Sequence, residues 1–226
     1  MMTKTKIVAL AMLTLSVTAC MQTPKGEKAL TGDIYSVDEI KGNEFMADLE
    51  NSSIEWLGTK PTGTHWGKVK LNDGVVYVSK NKVVGGKMTI DFNTIAVLDI
   101  EDPDLNGRLL GHLKSADFFN VDSFPSATFQ IAALEELDKN AQPIDGIFPT
   151  HTVKGNLTMR GITKGISFPA RLEVDDSKVK VLTPQFFINR TQWNVNYGSK
   201  SIFANLKDNF INDEMGIKIS FQAEKK

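Results

Sequence analysis

An all-β domain is what this sequence predicts, and three features carry that reading. Apolar and polar residues alternate over most of the chain, turn-forming residues separate the alternating runs, and one segment departs to helical spacing. Alternation at period two marks strands with one buried face. Short antiparallel strands of that kind bury their apolar face by closing into a barrel or by pairing as a sandwich.

The runs follow in order along the chain. Ile54 and Trp56 share one parity, and Met88, Ile90 and Phe92 interleave with Lys87, Thr89, Asp91 and Asn93. Phe129, Ile131 and Ala133 point opposite to Thr128 and Gln130. Val153, Gly155, Leu157 and Met159 oppose Thr152, Lys154, Asn156 and Thr158, and Ile166, Phe168, Ala170, Leu172 and Val174 oppose Ser167, Arg171 and Glu173. Ile217, Ile219 and Phe221 close the chain against Lys218, Ser220 and Gln222. Asn72-Asp73-Gly74 predicts a tight hairpin between residues 68–71 and 75–79, because an Asp-Gly pair supplies the positive backbone angles such a turn needs. Asp175-Asp176-Ser177, and the stretch from Arg160-Gly161 to Lys164-Gly165, predict similar turns.

The helical exception starts at Asp102-Pro103-Asp104, with a capping side chain, a proline for the first turn and acidic charge at the positive end of the dipole. Leu105, Leu109 and Leu113, with Leu110 beside them, then form an apolar stripe facing the sheet. A second short helix is expected over residues 203–209, within a loop-like region that could act as a flap.

The start of the chain reads as an export signal. Lys4 and Lys6 precede an apolar run at residues 7–17, followed by Val17-Thr18-Ala19-Cys20; charge, apolar stretch and small residues in that order mark a secretory leader. The run holds about eleven residues, short of the roughly 20 that a membrane-crossing helix needs. A small residue directly before Cys resembles the lipobox of bacterial lipoproteins, whose cysteine carries the lipid. Residues 1–19 are therefore expected to be a lipoprotein signal peptide and Cys20 the lipidated residue, with ordinary cleavage near Ala19 as the alternative. Residues 20–33, polar and containing Pro24, Gly26 and Gly32, are expected to be a flexible tether. Residues 34–226 remain as one domain.

Composition narrows the function classes. Basic residues number 26 and acidic ones 27, for a formal net charge of −1, and loss of Lys4 and Lys6 makes the remainder more acidic. Such a balance gives no electrostatic footprint for nucleic acid and no attraction to anionic headgroups, so membrane contact is expected through the anchor. Cys20 is the only cysteine, which excludes an internal disulfide and a cysteine-based metal site. His65, His112 and His151 lack the short spacings of zinc sites; His112 is expected to serve the negative end of its helix. There is no Gly-x-Ser-x-Gly elbow or phosphate-binding glycine loop, and the carboxylates are scattered over polar strand faces. The expected protein is not an enzyme and carries no metal or cofactor.

What remains is aromatic. The stretch "GHLKSADFFNVDSFPSATF", residues 111–129, holds Phe118, Phe119, Phe124 and Phe129. Rings at that density either fill a closed core or line a cavity kept open for an apolar guest. Together with "SSIEWLGTKPTGTHWGKV", "GGKMTIDFNTI", "VKGNLTMRGITKGISFPARLEV" and "INRTQWNV", this stretch resembles the YceI-like family, a lipocalin-like, polyisoprenoid-binding domain, over residues 34–222. The resemblance implies an eight-stranded antiparallel lipocalin-like barrel with one or two short helices, and a long isoprenoid or quinone as the bound molecule.

On that basis Phe118, Phe119 and Phe129 are expected to line a cavity, with Leu109 and Leu113 behind them and Trp56, Met88, Ile90 and Phe92 on the same buried face. Each has closed-core packing as its alternative. Arg190 and Trp193 are candidates for contact with a polar head group, since an Arg beside an aromatic can stack and still donate hydrogen bonds; an Arg satisfying rim carbonyls is the other reading. His65, in "GTHWG", is a candidate at the pocket rim. The expected protein is thus a bacterial envelope lipoprotein, periplasmic or on the cell surface, that binds, stores or carries an apolar chain lipid. A structural or stress-related scaffold barrel is the competing reading.

Overall fold

In a computed structural model of the chain, which describes residues 26–138 and 140–226, the alternating runs become one twelve-stranded sheet. In chain order the elements are β1 (Glu27–Lys28), β2 (Leu30–Gly32), β3 (Asn43–Ala47), β4 (Ser53–Lys60), β5 (Gly63–Ser79), β6 (Lys82–Val97), helix α1 (Pro103–Lys114), β7 (Ser126–Glu136), β8 (His151–Met159), β9 (Ile162–Val174), β10 (Lys178–Leu182), β11 (Phe186–Asn189) and β12 (Glu214–Lys225).

The pairing closes on itself. From β5 to β10 each strand pairs antiparallel with the next, β10 pairs β12, and β3 and β4 bridge β12 back to β5. β3 and β4 lie end to end between the same two neighbours, with Phe45 opposite Val76 and Ile54 opposite Val69, so they are one stave broken at residues 48–52. β10 and β11 are likewise one stave along β12, with Val181 opposite Phe221 and Phe186 opposite Ile217, broken at Thr183-Pro184-Gln185. The result is an eight-stave antiparallel barrel, and the sandwich alternative is gone. A barrel of this strand number has an interior just wide enough for side chains or one slender guest.

Two-residue turns with positive φ set two of the hairpins, as the right-handed twist of the strands requires. Arg160 and Gly161 (φ 49° and 75°) join β8 to β9, where the sequence predicts a turn, and Lys80 and Asn81 (φ 51° and 57°) join β5 to β6, where it does not. Asp175 turns β9 into β10 by accepting the Ser177 and Lys178 N–H groups at 2.8 and 2.7 Å. Asn72-Asp73-Gly74 is a correction. β5 runs straight through it, the register against β6 slips between Leu71 and Asp73, and the Asp73 carboxylate accepts the Gly74 N–H at 2.8 Å. The site is a bulge, because an uninterrupted β5 offers β3 and β4 a common partner and buries Val76 and Val78. Lys164-Gly165 lies within β9.

Another bulge, between Ile131 and Ala133 on β7, reverses the predicted parity there. Leu134 packs against the core in place of Ala133, which is exposed. α1 forms where predicted: Asp102 Oδ1 accepts the N–H groups of Asp104 and Leu105 at 3.0 and 2.9 Å. Its apolar stripe is narrower than expected, with Leu113 buried, Leu109 and Leu110 partly so and Leu105 54% exposed. In place of the helix expected over residues 203–209 there is a single 3-10 turn, Lys207–Asn209, and another 3-10 turn spans Arg190–Trp193.

The tether also differs from expectation. β1 pairs with β11 and β2 with β9, so part of the segment expected to be slack through Asp33 is laid into the sheet by main-chain hydrogen bonds that composition does not reveal. Cys20 and the expected leader lie outside the described residues. No helix among the described residues is long and apolar enough to cross a membrane.

Candidate functional site

The inward faces of the staves meet around an axial cavity of about 100 Å³. β6 supplies Met88, Ile90 and Phe92, β7 Ala127 and Phe129, β9 Ile166 and Phe168, β11 Phe186 and Ile188, and β12 Met215, Ile217, Ile219 and Phe221. Ser53 and Ser220 are the polar residues in this lining. Below it lies a smaller chamber of about 40 Å³, bounded by Val76, Ile131, Leu134 and Val153, which shares Met88, Phe129 and Phe168 with the main one. Toward the helix lies another of about 40 Å³, walled by Leu113, Phe118, Arg190 and Ile211, which shares Trp56, Phe119 and Met215. Three chambers in a row thus follow the barrel axis, divided by side chains rather than by backbone.

Aromatic rings form much of the division. Phe92 and Phe119 stack with centroids 4.9 Å apart, Phe118 meets Phe119 edge-on at 5.1 Å, and Phe129 lies 5.6 Å from Phe168. Trp56 is fixed between chambers by donating its Nε1–H to the Ala96 carbonyl at 3.2 Å. Of the residues singled out from the sequence, Trp56, Met88, Ile90, Phe92, Phe119 and Phe129 line the main cavity, and Leu113, Phe118 and Arg190 the helix-side chamber.

Four candidates sit elsewhere or do other work. Leu109 packs against the core from outside the chambers, because the helix presents only its last turn to the barrel opening. Trp193 is fully buried and donates its Nε1–H to the Leu157 carbonyl at 3.1 Å, acting as structural filling. Arg190 is buried and spends its guanidinium on the chain itself. Nε donates to the Asn212 carbonyl at 3.1 Å, Nη1 to Val195 at 2.6 Å and Nη2 to Ile211 at 3.0 Å, while Cζ lies 5.5 Å from the Phe118 ring centroid. It ties the loop at residues 195–213 across the barrel end, which is the rim-carbonyl reading. His65 is outside the lining, with its Nδ1 2.8 Å from Asp99 Oδ2.

Burial pushes the Asp99 carboxyl up, but the hydrogen bonds from the Trp66 N–H and from His65 outweigh it and hold the group below its ordinary range. His151 is pushed below its ordinary 6.5 by burial. Its neutral form is therefore the one the fold prefers. Stability is full above pH 6.5, begins to fall as the unfolded chain takes up its proton below that pH, and stops falling below the lowered folded value. His151→Gln is expected to flatten this part of the acid limb in a series of urea melts between pH 8 and pH 5, and an unchanged limb would count against it.

The sequence placed Leu157, Met159, Ile166, Phe168, Ile217, Ile219 and Phe221 on buried faces without assigning them to a lining. Phe186, Ile188 and Met215 were missed altogether. The available signal for the first two was their shared parity in the short "FFIN" run.

An eight-stave barrel with an almost wholly apolar interior belongs to the class of small antiparallel barrels whose axis is filled by side chains or holds one slender guest. Residues 45–223 match the YceI-like domain, and the chain belongs to that family. It is 32% identical over 142 residues to a UPF0312 protein of Enterobacter sp. (strain 638), covering 63% of this chain and 65% of that one. It is 27% identical over 139 residues to Protein YceI of Salmonella newport, covering 61% of each. The chain thus spans less than two thirds of the length of these relatives. Among solved structures, BcnA of Burkholderia cenocepacia superposes with a TM-score of 0.59 at 20% identity, over 78% of this chain and 99% of that one. A polyisoprenoid binding domain from Saccharophagus degradans superposes with a TM-score of 0.54 at 14% identity, over 82% and 100%. These two likenesses concern the fold.

Proposed function

We propose that this protein holds one apolar chain, an isoprenoid or the tail of a quinone, along its barrel axis, and that it does so as a lipid-anchored protein of the bacterial envelope. The carrying observation is the axial cavity, whose walls offer a guest almost nothing but hydrocarbon. A neighbour in fold is a polyisoprenoid binding domain, which supports the same chemistry.

Magnitudes set the terms of binding. At about 30 Å³ per small group, a cavity of about 100 Å³ admits three or four carbons, worth roughly 0.8 kcal/mol each. A longer chain must join the three chambers by moving their dividing side chains. Met88, Met159 and Met215 in the lining suit that task, since an unbranched thioether repacks at low cost. Binding is therefore coupled to widening, and selects slender chains over rigid rings.

Native mass spectrometry of protein purified from its own host, followed by lipid extraction, tests the reading. One isoprenoid or quinone mass per barrel is the expected result; an empty barrel, or a mixture of ordinary phospholipids, overturns it. The anchor is tested separately. Cys20→Ala is expected to move the protein from the membrane fraction to the soluble fraction, and unchanged fractionation removes the lipoprotein assignment.

A further inference from the structure

The barrel wall has a seam that its own staves leave open. β10 pairs with β9 along residues 171–174, but past Thr183-Pro184-Gln185 the stave continues as β11, whose pairing partners among the described residues are β12 and β1. Facing the first half of β9 is instead the segment of residues 26–35. Glu27 and Lys28 ladder onto Phe186 and Phe187, the Ala29 N–H donates to the Phe187 carbonyl at 2.8 Å, and Leu30, Thr31 and Gly32 pair with Ser167, Ile166 and Gly165. Gly165 makes room for this: a Cβ there would come within 2.1 Å of the Asp33 carbonyl oxygen.

The segment is lightly held. None of residues 26–34 is buried, and Leu30 and Ile34 turn outward, 75% and 61% exposed. Beyond main-chain bonds it has the methyl of Ala29, partly buried against the core, and the Lys28–Glu214 ion pair at 2.8 Å; exposed pairs contribute little. Its far end is pinned. Tyr35 N–H donates to Asn156 Oδ1 and Asn156 Nδ2 donates to the Tyr35 carbonyl, both at 2.9 Å, with Asn156 itself buried. A strap with one firm end and few buried contacts is the kind of element that opens locally.

Behind the strap the wall is thin. Phe168 of β9 and Phe186 of β11 stack across the seam, centroids 4.3 Å apart and planes within 2° of parallel, and both line the axial cavity. On the outer face a groove of about 470 Å³ runs beside Glu27, Lys28 and Leu30 and is bordered by Phe168 and Pro169. Phe168 therefore borders the outer groove while its buried ring faces the interior. Residues 168–170 of β9 fall between the stretch paired with β2 and the stretch paired with β10, and Pro169 has no N–H to offer a strand. The helix end of the barrel, by contrast, is tied by the three carbonyl bonds of Arg190.

We propose that the window between Phe168 and Phe186 is the portal through which an apolar chain reaches the axial cavity, with residues 26–35 as its latch. This rests on the reading that the cavity holds such a chain. Freeing the strap breaks a handful of main-chain bonds and lets the two rings part, without disturbing the closed staves.

The test uses the chain with Cys20→Ser and follows uptake and release of cis-parinaric acid by stopped-flow fluorescence. Leu30→Cys with Ser167→Cys places cysteines at paired positions. Oxidation of that variant is expected to slow uptake and release alike by about tenfold or more, leaving affinity within about twofold, and reduction restores both rates. Ala29→Pro, which removes the N–H given to Phe187, is expected to speed both, and it decides the matter if the disulfide does not form. Unaltered rates in these variants, with binding intact, overturn the portal and leave the chain-binding reading standing. Failure of the unsubstituted barrel to take up the probe overturns both.

Discussion

Ala127→Leu leaves the barrel folded and weakens binding of an apolar chain by roughly 50-fold. Ala127 is buried, pairs with Ile90 across β6 and β7, and borders the axial cavity. Three added carbons occupy much of a volume of about 100 Å³, and a guest displaced from three carbon positions loses about 2.4 kcal/mol, at roughly 0.8 kcal/mol for each. Filling existing space costs less than overpacking a full core, so stability is expected to change by less than about 1.5 kcal/mol. Fluorescence titration with cis-parinaric acid, alongside thermal melts, separates the two effects. Undiminished affinity in this variant places the ligand somewhere other than the barrel axis.

Arg190→Met produces the largest loss of stability. Removing the guanidinium strands the carbonyls of Asn212, Val195 and Ile211 and leaves Asp213, 3.7 Å away, without its cation. Breaking a buried charged network from one side costs about 3–5 kcal/mol, which for a domain of this size lowers Tm by roughly 10 °C. Arg190→Lys recovers only part of this, because an ammonium cannot reproduce the planar fork that reaches three carbonyls. Calorimetry measures the shift, and limited proteolysis is expected to find its new cleavages within residues 195–213. A melt that moves by only a degree or so rejects Arg190 as the clamp of that loop.

Local pattern carried much of this structure into the sequence. Alternation located the inward faces of β6, β8, β9 and β12, and the Asp102-Pro103 cap located α1, because both signals depend on neighbours in the chain. Bulges were illegible. At Asp73 and at Ala133 the pairing slips to satisfy a partner strand, and nothing in the local residues distinguishes that from a turn or from unbroken alternation. Within the site, Phe119 and Phe129 stood out by density, whereas Phe186 and Met215 join the lining only because β11 and β12 bring distant segments to the same axis. Arg190 shows the remaining limit: an arginine near aromatics reads as a recognition group until the carbonyls around it are seen to claim its donors. The strap is invisible for a related reason, since its polar composition speaks of slack and its place in the sheet comes chiefly from backbone bonds.

The two broken staves share one neighbour, β12, the last twelve residues before the final lysine. It meets both pieces of the first stave and both pieces of the seventh, and in its ladder with β3 Lys225 stands opposite Phe45. During folding the hairpins from β5 to β9 can form early, while the cylinder stays an open, curved sheet until β12 docks between its two edges. Closure over so long a loop is a slow, entropically costly step, and until it occurs the greasy inner surface is exposed to other chains. Closure of the barrel thus turns on β12, and chains lacking that strand are expected to accumulate as aggregates rather than as smaller barrels.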